Sequence, residues 1–386
     1  MTATGLSRAI AAAIDARMRL RQRSPAESAA ALAAAAARWV VDPDLERGLV
    51  ESSGLHPSML REVLPLVAGM LDRDAMLALV EREGTDVGEP AEWTAWVLAS
   101  NVPALAVPAI ALSCLAGSAA VVKSGHCDAV SAAAFQRALA AVDPALAATV
   151  VPVAWPHDAA LDDVLLDAPL AVLTGHDETV AALAARATGR VLGHGTRYGA
   201  LLLDTSAPID YAAAARDIAL YEQRGCLSPH ACWVVGDAAA VAAGLADALL
   251  LLAERLPPAP ATVEERAAVR GFLDDAAWAG AGVHAGAWGA VVRESGPHFR
   301  PTCGARTIRV LPLRDSAALP DLLPEHTIEC LGTNVPPPAG LRARGVARVC
   351  PVGRMQQPPL SWPRGQRPAL GSLLRQTRAA VMGIER

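Results

Sequence analysis

The sequence predicts an α/β protein organised on a parallel sheet with helices on both faces. Two observations carry this. From Trp93 to Leu203 short apolar runs alternate with helix-length segments, the pattern of successive βαβ units. Several of those runs end on residues with chemistry to offer, Asn101, Lys123 and Thr174, and open parallel sheets bind ligands beyond the carboxyl ends of their strands.

Residues 1–90 read as helical. Ala9–Val40 is alanine-rich, and Ser58–Glu83 repeats its apolar residues with the helical period. Asp42-Pro43 and Gly84–Pro90 punctuate the region. The alternation then runs in order: strand Trp96–Ser100 ending at Asn101-Val-Pro103, helix Ala104–Ala116 with Gly117 after it, strand Ala119–Val122 ending at Lys123-Ser124-Gly125, helix Asp128–Val142 and strand Val150–Ala154. Strand Leu170–Leu173 runs into Thr174-Gly-His-Asp-Glu-Thr179, which opens a helix to about Arg186. Arg190–Leu192 and Ala200–Leu203 are further strands. Asp210–Leu220 reads as a helix, Ala231–Val235 as a strand, Asp237–Leu256 and Glu264–Trp278 as helices, and Ala290–Arg293 and Thr307–Leu311 as strands. Glycine and proline punctuate the remainder, and Leu370–Arg386 is a helix or a loose tail.

Composition narrows the function. The 386 residues suggest two domains, and a net charge of −5 without basic runs argues against nonspecific nucleic-acid binding. The seven cysteines form no CxxC pair, so reduced thiols in a cytoplasmic protein are expected. Cys226 and His230 make a lone C-x3-H, too few ligands for zinc. No signal peptide is read at the N-terminus, and the uncharged run Trp93–Val122 is broken by Asn101, Pro103, Pro108 and Gly117, so no membrane span is expected.

The stretch Tyr221-Glu-Gln-Arg-Gly-Cys-Leu-Ser-Pro-His230 sits between the helix ending at Leu220 and the strand starting at Ala231. Cys226 at its centre is a candidate nucleophile. Gly225 lets backbone approach the sulfur, and nearby unpaired N–H groups are expected to lower the thiol pKa. The ordinary alternative is a buried structural cysteine. Lys123 is the only lysine among 34 basic residues, which suggests a need for a compact ammonium. Gly193-His-Gly195-Thr-Arg-Tyr-Gly199 imitates a dinucleotide fingerprint, but a strand follows where a helix N-terminus should receive the pyrophosphate.

Five motifs, in this order and spacing, resemble the LuxC-like acyl-CoA reductase branch of the aldehyde dehydrogenase superfamily: SNVPALAVPA at 100–109, VVKSG at 121–125, LTGHDETV at 173–180, ALYEQRGCLSPHA at 219–231 and RVCPVGRMQQPPLSW at 348–362. The resemblance covers roughly Trp93–Trp362. It implies an aldehyde dehydrogenase-like fold: a helical N-terminal region at 1–90, an NADP-binding α/β domain at 91–207, a catalytic α/β domain at 208–355 and a C-terminal segment at 356–386. It implies Cys226 as nucleophile and Asn101, with the Cys226 N–H, as oxyanion donors. It also implies that Lys123 and Ser124 lie at the adenosine ribose, and that Thr174, Gly175 and His176 form the turn over the pyrophosphate.

The departures matter equally. Hydrolytic relatives carry a base glutamate where this chain has Gly193-His194-Gly195-Thr196, and a thioester reductase needs no water activator. An acid that binds the ribose 2′-hydroxyl in NAD-preferring relatives is here His126, which implies NADPH. The family's later ribose-binding Glu-x-Phe-Gly-Pro is missing, with Cys303-Gly-Ala-Arg306 nearby; Cys303 is the second candidate nucleophile. The expected activity is NADPH-dependent reduction of an acyl-CoA or acyl-protein thioester to the aldehyde. Partners implied are the acyl-CoA or acyl-carrier thioester, further copies of the chain in a homo-oligomer, and an acyl-protein synthetase. The competing readings are NAD(P)-dependent aldehyde oxidation, with His194 as base, and a noncatalytic acyl-carrying subunit.

Overall fold

The computed structural model describes residues 1–84, 89–156 and 158–374. Five helices lead the chain: α1 (Ala3–Arg19), α2 (Pro25–Trp39), α3 (Pro43–Ser53), α4 (Pro57–Gly69) and α5 (Arg73–Glu83). The two long helical stretches expected from periodicity are each divided, and capping chemistry divides them. Ser24 and Glu27 form a reciprocal capping box ahead of Pro25, which starts α2 afresh. Asp72 Oδ1 accepts the Ala75 N–H at 2.8 Å and starts α5. Of the Gly84–Pro90 stretch, residues 85–88 lie outside the described residues.

The first sheet is wholly parallel. It comprises β1 (Trp93–Val97), β2 (Ala119–Lys123), β3 (Val150–Val153), β4 (Leu170–Thr174) and β5 (Arg190–His194), in the order β3-β2-β1-β4-β5. Its crossovers are α6 (Ala106–Ala116), α7 (Ser131–Ala140), α8 (Pro144–Ala147), α9 (Ala159–Leu166) and α10 (Asp177–Ala184). β1 lies earlier than the expected Trp96–Ser100. Leu98 and Ala99 extend the apolar run, but Ala99 gives its N–H to the Thr174 hydroxyl at 2.8 Å and the chain turns out of the ladder. α8 and α9 fill a segment the sequence left unassigned. In register, Val97 stands opposite both Lys123 and Leu173, so the ends of β1, β2 and β4 share one edge.

The second sheet has seven strands: β6 (Tyr198–Asp204), β7 (Pro229–Val235), β8 (Gly282–Gly286), β9 (Gly289–Arg293), β10 (Thr307–Leu313), β11 (Ile328–Thr333) and β12 (Arg348–Pro351), ordered β12-β11-β6-β7-β10-β9-β8. It is parallel except for the edge hairpin β8/β9. The two sheets are the two α/β units of the expected fold, and β8, β11 and β12 are strands that composition did not reveal. β11 is Ile-Glu-Cys-Leu-Gly-Thr, with a glutamate and a glycine inside it, and β8 is exposed along most of its length. The chain passes between the sheets at 195–197, ahead of the expected domain boundary at 207. Helices α11 (Tyr211–Ala219), α12 (Ala238–Arg255) and α13 (Val263–Trp278) complete the second unit. Among the described residues no helix is long and apolar enough to cross a membrane.

One hydrophobic cluster joins the two sheets. It takes Trp39 and Met59 from the N-terminal helices, Ile110 from α6, Leu201 from β6, Cys232 from β7 and Val310 from β10. Trp39 meets the Phe135 ring edge-on at 6.3 Å. Leu201 and Leu203 on β6 pack into this cluster, while Ala200 and Leu202 face a second one with Trp233. Burial on both faces explains why β6 reads as an unbroken apolar run.

Candidate active site

The turn from α11 to β7 carries the candidate nucleophile, and its backbone is unusual. Tyr221, Glu222 and Gln223 all take left-handed φ values, 58°, 53° and 61°, although none is glycine. Such residues cost of order 1 kcal/mol each and persist only where the surroundings over-determine them. Gln223 Nε2 donates to Pro229 O at 2.7 Å and Thr307 O at 2.6 Å, while its Oε1 accepts the Thr307 N–H at 2.7 Å. Glu222 forms a two-point ion pair with Arg306 (Nη2 to Oε1 2.6 Å, Nε to Oε2 2.9 Å). Both side chains are buried, and Arg306 also donates to Leu256 O at 2.7 Å.

A second brace comes from the strap after β12. Buried Asp217 on α11 accepts the Gly353 N–H at 2.6 Å and the Met355 N–H at 3.1 Å, and burial pushes its carboxyl up to about 6. Gln356 Nε2 reaches both Asp217 O and Ser228 Oγ at 3.2 Å. On the sheet side, Gly199 donates to Ser228 O at 2.9 Å, and a Cβ on Gly199 would lie 2.2 Å from Leu227 O. Only glycine lets β6 approach the turn this closely.

Cys226 is half-buried at the tip of this turn. The expected lowering of its thiol pKa is not what the site produces. Burial pushes the thiol up to about 11, the Glu329 carboxylate adds to the rise, and Arg364, its own backbone N–H and Arg197 oppose it. The free N–H groups are too few to outweigh removal of the sulfur from water. Cys303 is on the loop before β10, its Sγ 3.6 Å from Thr307 Oγ1, and burial raises it too.

Asn101 reaches the same turn from the first sheet. Its Nδ2 donates to Arg224 O at 2.7 Å and its Oδ1 accepts the Val102 N–H at 3.1 Å. An amide nitrogen carries two hydrogens, so a second donor remains. α6 begins at Ala106 with no side-chain cap, so Asn101 does not cap that helix. Buried Asp128 holds the loop by accepting the Ala104 N–H at 2.8 Å.

The remaining expected residues gather at the carboxyl edge of the first sheet. Lys123 Nζ stands 5.5 Å from the centre of the Trp155 ring. Ser124 is buried, and its Oγ has no hydrogen-bond partner. The His126 N–H donates to Ser100 Oγ at 3.0 Å. The Thr174 hydroxyl is committed to Val97 O and the Ala99 N–H, and the Gly175 N–H to His194 O at 3.2 Å. His176 precedes α10 and makes no side-chain cap there. The 193–196 turn joins two strands, as the sequence implied. His194 there is pulled down to about 3 by burial and by Arg364, Arg367 and Arg197.

The model of one protein family, acyl-CoA reductase (LuxC), matches residues 80–375. The chain belongs to that family. A search of the curated proteins finds no significant match. Solved structures that share the fold include aldehyde dehydrogenase 21 from Physcomitrella patens in complex with succinate, at TM-score 0.73 and 15% identity over 91% of this chain and 82% of that one. The NADP-dependent glyceraldehyde-3-phosphate dehydrogenase of Bacillus halodurans C-125, complexed with NADP, matches at TM-score 0.72 and 15% identity over 98% and 90%. A NAD-dependent benzaldehyde dehydrogenase from Corynebacterium glutamicum matches at 0.72 and 16% over 92% and 86%. At these identities the likeness establishes the aldehyde dehydrogenase-like fold.

Sequence reasoning missed the supports of this acyl-CoA reductase turn. Gln223 lay inside a quoted motif without a role, and Asp217 had no signal. Arg306 was noticed only for its place beside Cys303. Replacing Arg306 with Ala leaves Glu222 buried and unpaired, and is expected to cost about 3–5 kcal/mol in urea unfolding. Arg270→Ala, which breaks an exposed pair with Asp274 on α13, serves as control and is expected to change stability too little to resolve.

Proposed function

We propose that this chain reduces an acyl-CoA or acyl-protein thioester to the aldehyde through an acyl group carried on Cys226, using NADPH. The observation that supports it most is the meeting of Asn101 with the Cys226 turn through the Arg224 carbonyl, beside a 193–196 turn that offers no carboxylate. The candidate nucleophile and a side-chain amide donor share one turn, and no residue of 193–196 supplies the base that would activate water.

The residues divide the work. The Cys226 sulfur attacks the thioester carbonyl carbon, and the thiolate of the donor leaves. The free Asn101 N–H and the Cys226 N–H receive the charge that develops on the carbonyl oxygen, each worth about 3 kcal/mol in comparable sites. An acyl-enzyme in this setting outlasts water attack because His194, drawn to about 3, is a feeble base. The same value weakens the reading as an aldehyde oxidase, which needs that base.

A nicotinamide dinucleotide fits the edge of the first sheet. Ser124 Oγ is a buried hydroxyl still open to a partner, and Lys123 stands beside it. At the adjoining turn a Cβ on Gly125 would fall 2.3 Å from Ser100 Oγ, so backbone there is drawn tight against the loop that follows β1. His126, which is exposed, tolerates a 2′-phosphate where an acid would repel it. When bound, the cofactor supplies hydride to the acyl carbon.

The central test is mass spectrometry of the protein with acyl-CoA and no NADPH. One cysteine, Cys226, is expected to gain the acyl mass, and later NADPH to release aldehyde rather than acid. Cys226→Ala should lose labelling and reduction while still binding NADPH; a label on Cys303 would overturn the assignment. For the oxyanion donor, Asn101→Ala is expected to lower kcat about 10²–10³-fold with NADPH binding nearly intact, and near-normal turnover would remove its role. For the cofactor, kcat/KM with NADPH is expected to exceed that with NADH. Lys123→Ala should raise the NADPH KM more than it lowers kcat, and equal use of both cofactors by the wild type would refute the preference.

A further inference from the structure

Glu329 occupies a bulge beside the nucleophile turn. In the β11–β6 ladder Ile328 pairs with Tyr198 and Cys330 with Gly199, which leaves Glu329 without a partner across the strands. Bulges re-aim side chains and recur next to active sites. The residue across this bulge, Gly199, is the one that touches the Cys226 turn through Ser228 O and Leu227 O. The Glu329 carboxylate is buried, at 3% exposure. Its Oε1 accepts the Gly365 N–H at 2.9 Å, and its Oε2, equally buried, has no hydrogen-bond partner. A buried polar atom left open calls for a reason, and catalytic duty is a recurrent one.

The surroundings join this carboxylate to Cys226 electrostatically. The charged and titratable groups facing Glu329 are Arg197 from the 195–197 crossing, Arg364 from the chain after β12 and Cys226 itself, with the Trp362 indole alongside. Burial raises the Glu329 carboxyl, against the Gly365 N–H, the two arginines and the Trp362 indole N–H. Arg364 is the first cation opposing the rise at Cys226. The Arg197 Nη1 is itself buried without a partner. A thiol pushed to about 11 is almost wholly protonated at neutral pH, and His194 cannot relieve it. Attack by this sulfur calls for a nearby group to take its proton.

We propose that Glu329 is that acceptor, a base supplied from β11 in place of the carboxylate that the 193–196 turn lacks. The proposal rests on the acyl-enzyme reading above. As Cys226 attacks, its S–H bond breaks and its proton passes, directly or through one water, to form an O–H bond at Glu329 Oε2, the electron pair staying on sulfur to make the C–S bond. The donor thiolate leaves and takes a proton from solvent. After hydride delivery, with the nicotinamide cofactor as reductant, the thiohemiacetal oxyanion re-forms its C=O bond. The C–S pair returns to sulfur, and the proton held by Glu329 goes back to the thiolate. The duty of Arg197 and Arg364 is to offset the charge that moves between the carboxylate and sulfur.

The test is the single-turnover rate of Cys226 acylation by acyl-CoA, without NADPH, followed by mass from about pH 6 to pH 11. In the wild type the rate is expected to rise with ionisation of Glu329 and level off well below 11. Glu329→Gln preserves an acceptor for the Gly365 N–H. It is expected to acylate about 10²-fold more slowly at pH 7, and to climb tenfold per pH unit towards the thiol's own ionisation. A purely electrostatic or structural Glu329 gives the opposite sign, because removing a neighbouring negative charge lowers the thiol pKa and speeds the reaction. Glu329→Gln acylating as fast as the wild type at pH 7, or a wild-type rate that climbs without a plateau to pH 10, overturns the proposal. The wild-type profile decides even if the variant does not fold. Absence of any acyl-Cys226 in the wild type would instead bring down the acyl-enzyme reading, and this proposal with it.

Discussion

The site depends on three consecutive left-handed residues, Tyr221, Glu222 and Gln223, that turn the chain from α11 into the nucleophile loop. A helix that simply ran on would carry Cys226 away from Asn101. The turn is unfavourable for side-chain-bearing residues, so it exists because other contacts outweigh it. Gln223 closes three hydrogen bonds onto Pro229 and Thr307, the starting residues of β7 and β10, and Glu222 spends both oxygens on Arg306. Ala305 and Arg306 are themselves left-handed, at 55° and 58°, so two strained segments hold one another in place. Arg is suited to this role because its planar fork meets a carboxylate at two points.

That rigidity has a chemical consequence. The same packing that fixes Cys226 withdraws its sulfur from water and makes the free thiol reluctant to ionise. A sulfur kept protonated at rest is shielded from oxidation, since thiolate character governs that susceptibility. The site then needs its charge managed locally, and the groups within electrostatic reach are a carboxylate and two guanidinium groups from three separate segments. Asn101 enters from the first sheet and the thiol from the second, so the candidate centre lies where the two sheets meet.

Parts of this were legible in the chain. Cys226, Asn101 and Lys123 stood out as candidates because strand ends, a glycine beside a cysteine and a sole lysine are local signals. The helices of the N-terminal region were visible by period, and only their divisions, set by Ser24 and Asp72, were hidden inside alanine-rich or apolar runs. β8, β11 and β12 were not legible. The first is largely exposed, the second includes Glu329 and Gly332, and the third is four residues long, so none shows the apolar run that marked β1 or β6.

What the sequence alone determined is the class of fold, and it singled out candidate reacting side chains, because both are written in short-range pattern: alternation of strand and helix, and polar or nucleophilic residues placed where strands stop. What the tertiary structure decided is the environment of those side chains. That the Cys226 thiol is raised and not lowered follows from how much of the chain closes over it, a sum over residues from 197 to 364 that no local window contains. The pairing of Glu222 with Arg306 and the exposure of Glu329 to the nucleophile turn arise from strands far apart in sequence lying side by side. Burial and electrostatics act through space, whereas propensity and spacing act along the chain.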